Sequence, residues 1–358
     1  MKSVKTMLKR ALFILLAAVL LTLPCAAVDS SDGAVLDPVE LDELMAPYIK
    51  DHSLNDKNFG LAFLYTGTHE TYFINGDNFM YAASMSKVPL CMALAEKVYT
   101  GELQQEDTIN SVTITKIEEA CIISSNNALA GLAYGSMLPH SDELMAAYSG
   151  MTPDELPAEY HNRFYSPRFM LNTLQTLYEE PYRFPNIIEC MLQAQPENYF
   201  RQTLEGQYDV AQKYGQLYGY LNNAGIIYTP TPVILVVMTN QVKENLRLIG
   251  EMAQLFADYS LVLDERIRIR EEQRLAAEEA ARLAREEEAR LAAEKKAEEA
   301  AEEAARAAAE ETARAEAKRL ADEARQLAAR QRRQTVLAVT GAVLCLTVAL
   351  LFILKRKK

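Results

Sequence analysis

The sequence predicts a domain of the α/β (α+β) class followed by a long helix. Two strand-like runs lie near the start of this domain, at 59–64 and 72–74, and two more lie near its end, at 218–228 and 232–238. The stretch between them, 85–192, has mostly helical apolar periodicity. Strands at both ends of a helical middle indicate one sheet assembled from distant parts of the chain, with helices packed on it.

Residues 1–27 are predicted to be an export signal. Basic residues precede an apolar run at 11–23, and small residues follow at 25–27. Cleavage is expected after Ala27, so that the mature domain occupies 30–263. Lipid attachment at Cys25 is the alternative, which the leucine and proline just before it disfavour because small residues are preferred there.

The C-terminal end has the features of a membrane anchor. Residues 335–354 carry no charge, and the basic residues 355–358 follow directly. Such a run is long enough to span a bilayer, and a basic flank favours the cytoplasmic side. We therefore expect a single-pass protein of the cell membrane, with its domain extracytoplasmic and a basic cytoplasmic tail.

Residues 264–333 are predicted to form a helical stalk. This segment consists almost entirely of Ala, Glu, Arg, Lys and Leu, the strongest helix formers, and lacks Gly and Pro. Its first leucines are eight residues apart, at Leu275, Leu283 and Leu291. A leucine row with this spacing rotates by about 80° per repeat, so no lasting coiled-coil seam forms. We expect a solvated single helix, stiffened by charge pairs, that spans about 100 Å. A loose oligomeric coiled coil, helped by Leu320 and Leu327, is the alternative.

The composition excludes several classes of function. The net charge of −12 leaves no basic face for a nucleic acid. The four histidines form no HxxxH or Cys/His cluster, and we expect neither a bound metal nor another cofactor. An exported domain keeps Cys91, Cys121 and Cys190, an odd number that forms no complete disulfide framework. Whether Cys91 and Cys121 pair is left open by the spacing.

Ser84 and Lys87 form an S-x-x-K motif within the run Y-A-A-S-M-S-K-V-P-L. On a helix this spacing places both side chains on one face, about 5 to 6 Å apart at Cβ, so the amine can take a proton from the hydroxyl. A lysine acts as a base only if its pKa is lowered, which burial among the apolar neighbours favours. By itself the motif also fits an N-cap serine beside an exposed lysine.

Two further motifs follow in order along the chain. The run S-S-N-N contains S-x-N in two registers, either Ser124 with Asn126 or Ser125 with Asn127. The run V-A-Q-K-Y-G at 210–215 contains K-x-G at the edge of a predicted strand.

With these motifs in this order, residues 45–255 resemble the class A β-lactamase and penicillin-binding serine hydrolase superfamily, whose elements are S-x-x-K, S-D-N and K-T-G. The run N-N-A-G-I-I-Y at 222–228 is similar to the strand after K-T-G, and F-Y-S-P-R-F-M at 164–170 to the helix start after the omega loop. The register Ser124 with Asn126 is preferred because it gives the following alanine the family's spacing. The resemblance implies a β-lactamase/transpeptidase-like antiparallel sheet with a helical subdomain.

The resemblance also implies a role for each motif residue. Ser84 would attack an amide carbonyl and form an acyl-enzyme, with Lys87 as the base and Ser124 as the proton donor to the departing nitrogen. The residues implied in substrate binding are Asn126, Lys213, Tyr214, Gly215 and Gln216. Lys213 would attract the carboxylate that β-lactams share with D-alanyl-D-alanine ends. The backbone N–H groups of Ser84 and Gln216 would form the oxyanion hole.

The sequence departs from the family pattern at three places. Ser125 stands where the family has Asp in S-D-N, and Tyr214 stands where it has a small hydroxyl residue in K-T-G. The omega-loop pattern E-x-x-x-N, which supplies the base for deacylation, is absent. Glu155 and Glu159 are the glutamates in this region, and Glu159 with Asn162 is one residue short of the pattern, so Glu159 is the candidate base. If no base is in place, we expect slow deacylation.

We therefore predict a membrane-anchored, extracytoplasmic serine hydrolase of the class A β-lactamase type. Its substrate would be a β-lactam or a peptidoglycan peptide, bound by a monomeric ectodomain. The alternative is a D-alanyl-D-alanine peptidase-like or catalytically degenerate penicillin-binding envelope protein, which the tyrosine in K-x-G and the absent glutamate favour.

Overall fold

The computed structural model describes residues 34–137, 141–156, 158–194 and 197–355. The described chain divides into two compact units, with the boundary between Glu271 and Glu272. The predicted export signal and the last three residues of the predicted basic tail lie outside the described residues.

The first unit has its longer strands near its two ends and mostly helices between them, as the sequence predicts. Its strands are β1 (Phe59–Tyr65), β2 (Glu70–Ile74), β3 (Met80–Tyr81), β4 (Thr108–Ile109), β5 (Val112–Thr113), β6 (Phe164–Tyr165), β7 (Val210–Leu217), β8 (Tyr220–Ile227) and β9 (Val233–Asn240). Its helices are α1 (Pro38–Asp51), α2 (Lys87–Tyr99), α3 (Ile114–Ile122), α4 (Asn127–Met137), α5 (Ser141–Ser149), α6 (Pro167–Glu179), α7 (Ile187–Gln193) and α8 (Arg201–Leu204), and α9 (Asn245–Lys355) begins here. Short 3₁₀ turns lie at Ala83–Ser86, Pro153–Glu155, Ala158–Asn162 and Pro181–Arg183.

The five longest strands form one antiparallel sheet in the order β2-β1-β9-β8-β7. The central pair joins the two ends of the unit, since Phe59 of β1 pairs with Thr239 of β9. The predicted assembly of one sheet from distant chain segments is thus confirmed. The strand β7, which carries the K-x-G motif, lies at one edge of this sheet.

Each face of the sheet is covered by a separate apolar core. Because strand side chains alternate between faces, Phe63 and Val237 belong to one core and Ala62 and Val236 to the other. The first core packs against α1 and the start of α9, where the Phe63 and Phe256 rings are 4.7 Å apart. The second core packs against the helices of the 85–192 segment, and the S-x-x-K motif lies on this side.

The helices of the first unit begin at residues that satisfy free backbone N–H groups. The Asp37 side chain accepts hydrogen bonds from the backbone of Val39 and Glu40 at the start of α1. Ser166 accepts from Phe169 at the start of α6. Both helices have proline at their first position, where no N–H is required.

The first unit extends beyond the predicted end at residue 263. Arg266 contacts Glu40 of α1 at 2.6 Å and donates to the carbonyl of Val35 at 3.0 Å. The Tyr259 hydroxyl, which also contacts Glu40 at 3.0 Å, lies in the same network. The composition of 264–333 predicts that Arg266 belongs to the stalk, whereas its contacts place it in the folded unit.

The second unit is helical throughout, and its described side chains from 272 to 351 are exposed. Ion pairs four residues apart, such as Arg274 with Glu278 at 2.5 Å and Arg282 with Glu286 at 3.0 Å, follow its surface. Each such pair contributes about 0.3 to 0.5 kcal/mol. The exposed leucines agree with a solvated helix, and association between stalks stays an open alternative.

Within the part of the chain that the structure describes, one helix is long and apolar enough to cross a membrane. It is α9, and none of its most apolar window is buried. The predicted span at 335–354 lies within this helix.

Candidate active site

Ser84 lies in the 3₁₀ turn that leads into α2. The preceding residue, Ala83, has a left-handed backbone with φ of 51°, a conformation that is costly for any residue with a Cβ. Two contacts hold this turn in place. The Ala82 N–H donates to the Arg163 carbonyl at 2.8 Å, and the Ser86 hydroxyl donates to the Ala83 carbonyl at 2.8 Å. A turn held in this way fixes the direction of the Ser84 side chain.

Lys87 is buried, and its amine contacts four oxygens. The Nζ atom is 3.1 Å from Ser84 Oγ, 2.8 Å from Asn127 Oδ1, 2.6 Å from the Ser125 carbonyl and 3.1 Å from Ser125 Oγ. Burial lowers the pKa of Lys87, and the nearby Arg163 guanidinium lowers it further. None of its hydrogen-bond partners in the described chain is a carboxylate, which would have favoured the charged form. The predicted contact between Lys87 and Ser84 is therefore present.

The structure contradicts the preferred register of the second motif. The Ser124 hydroxyl is exposed and donates to the Ala120 carbonyl at 3.0 Å. Asn126 Oδ1 accepts from Ala128 N at 2.9 Å and from Leu129 N at 3.0 Å, which caps the start of α4. Neither residue contacts Lys87, and the alternative pair Ser125 with Asn127 occupies the site instead.

The physical reason is a break between two helices. Ser125 has a left-handed φ of 56°, so the chain reverses direction between α3 and α4 and helical spacing does not carry through the motif. A sequence signal for this arrangement was available. Asparagine is a preferred N-cap residue, and Asn126 directly precedes the helix-forming run of α4.

Lys213 on β7 is fully buried, and its Nζ has no hydrogen-bond partner among the described residues. The pKa of Lys213 is lowered to about 7, mainly by burial and in smaller part by the neighbouring Lys87 amine. The Nζ lies 4.3 Å from the centroid of the Tyr214 ring, which stacks on Tyr199 at 4.7 Å. The K-x-G lysine is thus beside the other motif residues, as predicted, and the tyrosine contacts it through its ring.

Gly215 brings the edge strand into contact with the nucleophile turn. A Cβ atom at this position would lie 2.1 Å from the Ala82 carbonyl oxygen and 3.0 Å from the Ser84 backbone nitrogen. No side chain fits in this space, which explains the glycine of K-x-G. Gln216, the next residue along β7, pairs with Leu221 of β8 and lies on the edge strand beside the turn.

Three buried residues near the site have no role assigned to them by the sequence. Asn222 of β8 is buried and donates to the Tyr81 carbonyl at 2.9 Å, so it ties the strand before the nucleophile to the main sheet. Cys91 and Cys121 are free, buried thiols that hydrogen bond to each other, and the pKa of Cys91 is raised by this bond and by burial. The sequence left open whether these two cysteines form a disulfide, and in this structure they do not.

Glu155, the first glutamate of the omega-loop region, serves as a cap and not as a deacylation base. Glu155 accepts hydrogen bonds from the backbone and hydroxyl of Thr152 at 2.7 and 2.9 Å, and both bonds lower its pKa. It therefore closes a capping box at a 3₁₀ turn. The side chain of Glu159 lies outside the described residues, and its role stays a prediction.

Solved structures of β-lactamases share this fold. A variant of the last common ancestor of Gram-negative class A β-lactamases has a TM-score of 0.54 and 19% identity, over 62% of this chain and 98% of that chain. A β-lactamase from Chitinophaga pinensis has a TM-score of 0.53 and 16% identity, over 62% of this chain and 99% of that chain. An ancestral class A β-lactamase has a TM-score of 0.53 and 20% identity, over 61% of this chain and 99% of that chain.

Comparison with curated proteins finds no match. A profile of the β-lactamase enzyme family matches residues 41–149 and 137–260, which together cover all three motifs and most of the first unit. On the strength of this match and of the shared fold, the chain belongs to the β-lactamase enzyme family.

Proposed function

We propose that the protein is a membrane-anchored, extracytoplasmic serine hydrolase that β-lactams or peptidoglycan peptides acylate at Ser84. The observation that carries this proposal is the 3.1 Å contact between Lys87 Nζ and Ser84 Oγ, made by an amine whose pKa burial lowers. A lysine of this kind can accept the serine proton as the oxygen attacks a carbonyl.

The proton then has a short path to the leaving group. Ser125 Oγ lies 3.1 Å from Lys87 Nζ, so it can pass the proton on to the departing nitrogen. This role, which the sequence assigned to Ser124, moves to Ser125 with the corrected register. Asn127 holds the amine from the other side at 2.8 Å. The backbone N–H groups of Ser84 and Gln216 would stabilise the oxyanion, since Gly215 holds the edge strand against the turn.

A carboxylate on the leaving side of the substrate would complete the site. Lys213 is buried without a hydrogen-bond partner among the described residues, and an unpaired buried amine is costly. A carboxylate contact would be charge-assisted and would raise the pKa of Lys213 again. This chemistry fits both β-lactams and peptides that end in D-alanyl-D-alanine.

Slow deacylation is the second part of the proposal, and it favours the penicillin-binding alternative over rapid β-lactam hydrolysis. Glu155 is engaged in its capping box, and the motif side chains around Lys87 supply no carboxylate to activate water. The apolar window of α9 and the basic residues after it support the membrane anchor.

Covalent labelling tests the proposal. The full chain in detergent should be labelled by a fluorescent penicillin, and Ser84→Ala should remove the label. Ser125→Ala should slow labelling by at least about tenfold, because a proton-transfer group is lost. Ser124→Ala is the matched control and should be labelled like the wild type.

Wild-type protein that takes no label, or Ser84→Ala protein that is still labelled, would refute the acylation mechanism. Loss of the bound label over time measures deacylation. A membrane-impermeant version of the probe, applied to whole cells, tests whether the domain faces outward.

A further inference from the structure

The Lys213 amine is closed off from solvent. The residue is fully buried, and its Nζ has no hydrogen-bond partner among the described residues. A carboxylate must come within about 2.8 Å of an amine nitrogen to form a charge-assisted hydrogen bond. A substrate can therefore reach this amine only if a neighbouring side chain moves.

The Tyr214 ring is the neighbour that can move. Its centroid lies 4.3 Å from Lys213 Nζ, and its side chain is partly exposed on the edge strand β7. The other side chains close enough to affect the charge of the amine are those of Lys87, Cys91 and Cys121, and all three are buried. The carboxylate contact with Lys213 thus requires the Tyr214 ring to move aside.

Tyr199 holds this ring in its place. The two rings are stacked, with their centroids 4.7 Å apart and an angle of 16° between their planes. Tyr199 has a left-handed φ of 62°, which is costly for a residue with a Cβ. The Gln212 side chain fixes the residues on both sides of it, since it donates to the Asn198 carbonyl at 2.9 Å and accepts from the Phe200 N–H at 3.1 Å. The loop is thereby anchored to β7 in the strained conformation that places Tyr199 on the Tyr214 ring.

We propose that Tyr214, positioned by Tyr199, is a lid over Lys213 that determines which substrates acylate Ser84. The proposal rests on the proposed acylation of Ser84 and adds a rule of specificity to it. With the lid closed, a substrate gains little from a leaving-side carboxylate because the amine is covered. One stack of two rings favours the closed position by up to about tenfold. Substrates whose leaving-side carboxylate is esterified or amidated should therefore react nearly as fast as the free acids.

The test compares benzylpenicillin with its methyl ester, in which the leaving-side carboxylate is capped and uncharged. Second-order rates of acylation of the full chain in detergent are measured by intact mass, and the readout is the rate of the acid divided by the rate of the ester. Tyr214→Ala removes the lid and should raise this ratio about tenfold, the gain expected from one hydrogen bond to a charged group.

Tyr199→Leu tests the positioning role without changing the lid itself. It keeps an apolar side chain but removes the flat ring, so it should raise the ratio about threefold by releasing Tyr214. A loss of packing alone would slow both compounds alike and leave the ratio unchanged. The ester rate in each variant shows whether the nucleophile turn is intact.

Two variants serve as controls and should keep the wild-type ratio. Tyr214→Phe keeps the ring, and so it separates a lid from a hydroxyl that binds the carboxylate. Tyr182→Leu makes the same change as Tyr199→Leu in another tyrosine pair, since the Tyr182 ring packs on Tyr99 at the far end of α2 from Lys87.

A ratio in Tyr214→Ala that equals the wild-type ratio or falls below it overturns the lid and leaves the proposed function intact. A fall in the ratio of Tyr214→Phe also overturns it, because the hydroxyl would then bind the carboxylate. Failure of both compounds to acylate the wild type and Tyr214→Ala alike refutes the proposed function, and the lid with it.

Discussion

Replacing Lys213 by methionine should stabilise the first unit at neutral pH, and the stabilisation should shrink as the pH rises. The pKa of Lys213 is lowered to about 7 in the fold, against 10.5 for an ordinary lysine. Near pH 7 the unfolded chain therefore binds more protons at this residue than the folded one. The bound proton favours the unfolded state, and this effect fades as the pH approaches 10.5. The free energy of unfolding of the wild type therefore rises between pH 7 and pH 10.5.

The magnitude follows from the two pKa values. The penalty for keeping Lys213 buried is about 4 kcal/mol at pH 7 and about 2 kcal/mol at pH 9. The wild type should therefore gain about 2 kcal/mol relative to Lys213→Met over this interval. For a unit of this size the difference in Tm should narrow by about 4 to 8 °C.

The Tm of the first unit can be measured on the full chain by near-UV circular dichroism of the tyrosines. The chain has no tryptophan, and all 18 tyrosines lie at or before Tyr259, so the signal reports the first unit alone. Lys116→Met, which removes an exposed lysine, is the control and should follow the wild-type curve. Parallel curves of Tm against pH for the wild type and Lys213→Met would show that Lys213 stays charged in the fold, and the burial argument would then be wrong.

Three further predictions concern packing and the corrected register. Asn127→Ala should slow acylation by at least about tenfold because it removes a partner of the Lys87 amine, whereas Asn126→Ala should lower stability by about 1 kcal/mol through loss of a helix cap, with acylation retained. Labelling rates and thermal unfolding of the two variants measure these effects. Equal labelling rates in Asn127→Ala and Asn126→Ala would contradict the corrected register. Gly215→Ala should abolish labelling, since its methyl group would overlap the nucleophile turn; a labelled, stable variant would count against this packing. Arg266→Met should lower the free energy of unfolding by about 1 to 3 kcal/mol, because the part-buried Glu40 carboxylate loses its cationic partner and keeps only the Tyr259 hydroxyl. An unchanged Tm would mean that the network is not formed in solution.

The sheet and the nucleophile could be predicted because their signals are local. The apolar runs of β1 and β9 are continuous, and S-x-x-K lies in an apolar segment that becomes α2. The edge strand β7 is indicated only by its K-x-G motif, because the strand-like pattern of the sequence begins at Tyr218. Tyr218 is a turn residue, and only Gly219 beside it signals the turn.

The register of the second motif could not be fixed by spacing. A single left-handed residue, Ser125, decides which hydroxyl and which amide face Lys87, and backbone conformation of this kind has no periodicity to read. The charge state of Lys213 was also out of reach, because it depends on how deeply the amine is buried and on a second amine from a distant segment. These properties come from tertiary packing.

The pairing of β1 with β9 has a consequence for biosynthesis. The central strand pair of the sheet joins residues from near the two ends of the first unit, so it cannot form until almost the whole unit has been synthesised. Closing so long a loop is slow, and the helices made in between have no completed sheet to pack on until then. The growing polypeptide should therefore stay unfolded through most of its elongation, the condition in which a chain can still be threaded through a translocation pore.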